Sequence, residues 1–246
     1  MAVLDDSLST EPPRVAHTLG VMASGTIAGV IAGLIAGGVG SRLAMRIMAL
    51  TSPDAQGAFT EAREIVGEIT FGGTLFLLLA GGLLGVAGGL AYVALKRWLP
   101  SRSTGLVFGL LALAVSGRLL VDPDNIDFVI LDPASLGIAM FAALPILFGL
   151  LVVPLQARLE PFFTKPRVRI PTILILVAGL LPLALGGPLA VALVILVAAG
   201  FLVARSETVR DVWASDTVDI YGRALIGAAG VFGLGFFAWG ALEILV

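Results

Sequence analysis

Cysteine is absent from the 246 residues, so disulfides, thiolate-bound metals, iron–sulfur clusters and a thiol nucleophile are all excluded. Histidine occurs once, at His17, which rules out a bis-histidine haem or a multi-histidine metal site within one chain. We read His17 as a solvated side chain just ahead of the first apolar run. The two lysines, Lys96 and Lys165, fall in loops, so no apolar segment offers an amine for a Schiff base. Charge is scarce too: Asp, Glu, Lys and Arg make up 13% of the chain, against roughly a quarter in a soluble domain. The net charge of -2 leaves no basic surface, and nucleic acid is not expected as a partner. None of H-E-x-x-H, G-x-S-x-G or G-x-x-x-x-G-K-[ST] occurs, so neither a metal centre nor a cofactor is expected.

What is abundant is apolar sequence: 58% of the residues are hydrophobic and the mean hydropathy is +1.05. The runs are nearly unbroken at the length of about 20 residues that crosses a hydrocarbon core of roughly 30 Å. The expected fold is therefore all-α, a polytopic transmembrane helix bundle of about seven spans, at 21–39, 70–95, 105–120, 134–155, 170–185, 189–203 and 225–246. The fifth and sixth form one run that Gly186-Gly187-Pro188 breaks in the middle, which reads either as two short spans or as a re-entrant hairpin. Both forms return the chain to the side it left.

Lys and Arg set the orientation, because they are retained on the cytoplasmic side. An N-terminus inside puts Arg14, Lys96, Arg97, Arg102, Arg158, Lys165, Arg167, Arg169, Arg205, Arg210 and Arg223 on that face, and only Arg42, Arg46, Arg63 and Arg118 on the other. An N-terminal cytoplasmic tail, 1–17, and a single integral membrane domain, 18–246, with its C-terminus outside, follow. Asp5, Asp6 and Glu11 stand where a signal peptide would be basic, so the first span is expected to stay in the mature protein. The segment 205–219, with Trp213 among its charges, reads either as a helix lying in the inner interface or as a polar loop.

Two patterns stand out. Gly25, Gly29, Gly33 and Gly37 recur every fourth residue along one stripe of the first span, the second repeats the device at Gly81, Gly85 and Gly89, and the third has Gly105, Gly109 and Gly117. Stripes without side chains let helices approach closely, and this glycine zipper is expected to pack the first three spans together. The second pattern is an outer-face charge cluster. Helical periodicity continues past Val39 to Leu50, the turn follows, and Thr60 reads as the N-cap of a helix starting at Glu61. That hairpin sets Arg42 and Arg46 against Glu61, Glu64 and Glu68, either as salt bridges holding two protruding helices or as a site for an anion or lipid phosphate. Across the next outer loop lie Arg118, Asp122, Asp124, Asp127 and Asp132. Arg118 either snorkels to the headgroups or pairs with Asp122, and the aspartates read as turn chemistry before they read as cation ligands.

The stretches Ser41-Arg42-Leu-Ala-Met-Arg46-Ile-Met, Phe71-Gly72-Gly73-Thr74-Leu75-Phe76, Lys96-Arg97-Trp98-Leu99-Pro100 and Asp122-Pro-Asp-Asn-Ile-Asp-Phe128 resemble a group of uncharacterised bacterial polytopic membrane proteins. The resemblance spans residues 20–160 and implies a bacterial inner-membrane setting; it carries no activity. No span has a charge near its centre, which disfavours ion-coupled transport. The functional reading is a non-enzymatic multi-pass protein, an accessory or scaffold subunit of a membrane complex or a binder or carrier of a small solute or lipid. Its partners are membrane lipids and other membrane subunits or its own copies. The alternative is an interfacial enzyme acting on a lipid-linked or phosphate-bearing substrate at the outer face.

Overall fold

A computed structural model describes residues 13–61, 64–165 and 206–246. The fifth and sixth apolar runs, most of the N-terminal tail and Arg63 lie outside the described residues. The described chain is all-helical, without strands; one isolated antiparallel bridge joins Phe59 and Ile65.

The first helix starts at Pro13, where a missing N–H costs nothing. It runs as α1 (Pro13–Gly33), a π-helical turn (Leu34–Gly40) and α2 (Ser41–Thr51), and stops where Pro53 disfavours further helix. The helical continuation read beyond Val39 is present. The helix read from Glu61 is not. Thr60 closes a tight turn instead, its hydroxyl accepting from the Glu64 N–H (3.1 Å) and donating to the Glu64 carbonyl (3.0 Å). Gly57 and Gly67 flank that turn at φ of 84° and 90°, a backbone conformation that favours glycine. The cap is Thr70, whose hydroxyl accepts from Gly73 N at 3.1 Å and starts α3 (Phe71–Leu95).

After a 3₁₀ turn (Lys96–Trp98) come α4 (Thr104–Leu120), the short α5 (Asp127–Ile130) and α6 (Ala134–Phe163). The fourth run was expected to end at Leu155; its helix continues two turns further. The described chain resumes with α7 (Glu207–Trp213) and α8 (Asp216–Leu245), the latter capped by Ser215. Of the segment 205–219, residues 207–213 form a short helix and 216–219 are the first turn of α8, which therefore starts nine residues before the expected 225. Among the described residues four helices are long and apolar enough to cross a membrane: Ala16–Thr51, Phe71–Trp98, Ala134–Phe163 and Asp216–Leu245. Thr104–Leu120 is apolar but shorter.

α1 lies antiparallel on α3 with backbone against backbone. A Cβ placed on Gly29 would overlap the Gly85 carbonyl, one on Gly33 the Gly81 carbonyl, and one on Gly89 the Gly25 carbonyl, while Gly37 meets the Gly81 Cα. The third run departs from expectation, because the glycines of α4 pack on other helices and not on this pair. Gly105 and Gly109 press on the α6 backbone at Gly149, Leu150 and Ile146, and Gly117 lies against the Phe237 ring of α8. An apolar core of Ala28, Ala32, Tyr92, Leu99, Phe108 and Val152 joins α1, α3, α4 and α6, with Tyr92 edge-on to Phe108 at 5.3 Å. α8 leans on α4 at one side and is otherwise exposed.

Charged groups collect at the two ends. Lys96 pairs with Glu160, and Arg97 with Asp219, so the C-termini of α3 and α6 and the N-terminus of α8 share one end. Arg118 approaches Glu243 at the other, beside the connections 52–70 and 121–133. On α8, Asp219 and Glu243 stand about 36 Å apart along the axis, the hydrocarbon core plus a margin of headgroup.

Candidate functional site

The arginines singled out by sequence do not meet the glutamates expected opposite them. Arg42 Nη2 donates to the Thr70 carbonyl (3.4 Å) and Arg46 Nη1 to the Gly67 carbonyl (3.2 Å). Among the described residues neither forms an ion pair. Glu64 turns its carboxylate to the Thr70 hydroxyl (3.0 Å), and Glu68 is exposed. The reason is the missing helix: a non-helical entry to α3 leaves the Gly67 carbonyl to Arg46, whereas the Thr70 carbonyl also accepts from the Thr74 N–H (3.1 Å) and hydroxyl (2.8 Å), so Arg42 adds a third and longer bond there. Arg42 Nε is buried without a hydrogen-bond partner.

Glu61 works across the connections. Its N–H donates to Asp127 Oδ1 (3.0 Å), and its carboxylate accepts from the Ile126 N–H (3.4 Å), so each acidic side chain holds the backbone of the other's loop. Ser52 adds a second tie, its hydroxyl donating to the Asp132 carbonyl and accepting from the Asp132 N–H, both at 2.8 Å. Between them Ala49, Ala55 and Val66 pack with Ile130 and Leu131. The aspartates of 122–132 serve the turn itself: Asp122 accepts from the Asp124 N–H, and Asn125 from the Asp127 N–H. Among the described residues no group of three metal-ligating side chains is assembled.

Asp127 is half-buried, and this desolvation, with the charge of Glu61 beside it, raises its pKa from the usual 3.8 although the Glu61 N–H bond pulls it down. Between the unfolded value and the raised one the native state binds more proton than the unfolded state, so stability falls as pH rises through that window. Asp127→Asn keeps an acceptor for the Glu61 N–H and is expected to flatten this slope in melting curves taken from pH 4 upward. An unchanged slope would remove Asp127 from the account.

Arg118 forms a separate group. Its guanidinium lies 3.9 Å from Asp122, 3.7 Å from Glu243 and over the Phe236 ring at 5.6 Å, against Gly240. Trp239 Nε1 donates to Glu243 at 2.6 Å. Arg118 thus lies within ion-pair distance of Asp122, one of the two alternatives read for it, and of an α8 residue that sequence reading passed over. The charged residues at this end divide into these sets, with Arg42, Arg46 and Glu64 around the α3 entry, Glu61 with Asp127, and Arg118 with Asp122.

The opposite end holds polar groups that sequence reading also missed. Gln156, 2% exposed, donates to Ser24 Oγ (3.1 Å) and to Glu160 (2.6 Å), which accepts from Lys96 Nζ at 2.8 Å. One chain of bonds thereby ties α1, α6 and α3. Arg97 lies between the Trp98 and Trp213 rings, at 5.6 and 5.5 Å, and donates to Asp219 and to the Trp213 carbonyl; Trp98 Nε1 also donates to Asp219. The signal for the first group was present: Gln156 and Glu160 stand one turn apart near the end of an apolar helix. The pairing of Asp219 with a turn over a hundred residues earlier left no local mark.

Among the described residues the chain is helical, with four helices long and apolar enough to cross a membrane and charged clusters at both ends. Comparison with protein-family models, with curated proteins and with solved structures returned no match.

Proposed function

We propose that the chain is a seven-span protein of a bacterial inner membrane, with its N-terminus cytoplasmic and its C-terminus outside, serving as a non-enzymatic accessory or scaffold subunit of a membrane complex. The observation that carries this reading is the use made of the loop-end charges. Arg42 and Arg46 donate to backbone carbonyls, and Glu61, Asp127 and Ser52 hold loop backbone, so groups suited to a phosphate are engaged in fastening a cap. The interfacial-enzyme and lipid-phosphate alternatives require those guanidinium groups to face a ligand. The close approach of α1 and α3 at Gly29 and Gly85 supports a glycine zipper between the first two spans. The shared end of α6 and α8 supports an even number of crossings between them, as seven spans require.

Native mass spectrometry from a gentle detergent tests the role of the arginines. Arg42→Ala and Arg46→Ala are expected to retain every co-purified lipid while melting earlier; loss of an anionic lipid from either would replace the scaffold with the lipid site. Crosslinking in intact membranes should shift the chain into species larger than the monomer, and a monomer alone would overturn the subunit role. For topology, single cysteines at Gln56 and Asn125 are expected to react with an impermeant thiol reagent from outside and those at Ser103 and Thr164 to stay unlabelled. Labelling at Ser103 in intact cells reverses the orientation.

A further inference from the structure

The helix Ala16–Thr51 changes its winding once, at Leu34–Gly40, where the hydrogen-bonded ring takes in one residue more than an α-turn does. On one side, α1 is fixed by the backbone contact of Gly25, Gly29 and Gly33 with α3. On the other, α2 buries Ala44, Met48 and Ala49 but has no glycine of its own and makes no backbone-to-backbone contact of that kind. Its polar bonds to the α3 entry are two single ones, Arg42 to Thr70 at 3.4 Å and Arg46 to Gly67 at 3.2 Å, beyond and at the long end of the usual range, and only at its C-terminal end does Ser52 add two bonds of 2.8 Å to Asp132. Arg42 Nε stays buried without a partner, so this position does not satisfy the guanidinium it uses. Three of the seven π-turn residues, Gly37, Gly38 and Gly40, have no side chain to carry past a neighbour.

We infer that the π turn is a two-position joint. In the position described here the extra residue is stored in the turn and α2 presents Arg42 and Arg46 to the carbonyls of Thr70 and Gly67. In the second, the turn rewinds as α-helix, α2 rotates by about 100° relative to α1, and both guanidinium groups leave those carbonyls. The α1–α3 contact is common to both positions. The entry to α3 is fastened in one and unfastened in the other. This joint does not depend on the subunit role proposed above.

Deletion of Val39 tests it, because removing the stored residue lets the whole helix wind as α with α2 in the orientation described here. The chain has no native cysteine, so spin labels at Leu43→Cys on α2 and Ser135→Cys on α6, both exposed, report the rotation by electron–electron distance measurement in nanodiscs. The parent chain is expected to give two distance populations, separated by at most about 8 Å, the displacement in a 100° rotation of a side chain about 5–6 Å from the helix axis. The Val39 deletion is expected to give one, coinciding with one of the parent's two. A single population in the parent, two in the deletion variant, or failure of the deletion variant to fold would each overturn the joint.

Discussion

Gly29→Leu is expected to destabilise the bundle by about 3 kcal/mol or more, the upper end of the range for overpacking. The first carbon of the new side chain falls on the Gly85 carbonyl and near the Gly89 Cα, and neither is the end of a flexible side chain that can turn aside. Relief therefore requires α1 and α3 to separate along their length, which breaks the matching contacts of Gly25 and Gly33 as well. In lipid, apolar side chains gain little by burial, so lost close packing is not recovered by other contacts. Gly227→Ala is the control: that position on α8 has no atom within 4 Å of a new Cβ, and an alanine there is expected to be neutral or to stabilise by up to about 1 kcal/mol through helix propensity. Thermal unfolding in nanodiscs reads both. A melting temperature equal to the parent's for Gly29→Leu and Gly33→Leu together would mean that α1 and α3 do not meet along this stripe.

Glu160→Ala is expected to cost about 1–2 kcal/mol, less than a fully buried ion pair because the Glu160 and Lys96 side chains remain 30% and 32% exposed. Lys96 Nζ loses its acceptor and Gln156 Nε2 loses one of its two, keeping only Ser24 Oγ, at a site that is 2% exposed. A double-mutant cycle with Lys96→Ala should give a coupling above the range of about 0–1 kcal/mol for surface pairs. Zero coupling would reduce the Lys96–Glu160 bond to an incidental contact. Gln156→Leu is expected to act through α1: with its bond to Ser24 gone, a cysteine at Ser24 should become more reactive from the Lys96 end, whereas Glu160→Ala alone should leave it protected.

Long apolar runs with little charge dictate helices that satisfy their own backbone, because nothing in a hydrocarbon core can do so for them, and these runs determined the all-helical class and the positions of the long helices before any contact was known. The spacing of Gly25, Gly29, Gly33 and Gly37 likewise placed a bare stripe on one face of α1, since a period of four lies within the helix itself. What lies opposite a stripe is not local. Gly81, Gly85 and Gly89 had the same pattern as Gly105 and Gly109, and only the tertiary structure assigned the former to α1 and the latter to α6. The expected pairing of charges is absent for a related reason. Pairing Arg42 and Arg46 with Glu61, Glu64 and Glu68 assumed two facing helices, but Gly57, Gly67 and the Thr60–Glu64 turn end that assumption, and once the backbone is irregular its carbonyls compete for the guanidinium groups. Sequence determines what can be expressed in one helix's own period. Which helix faces which, and therefore which charge finds which partner, depends on contacts between residues far apart in the chain, and the fold alone decided them.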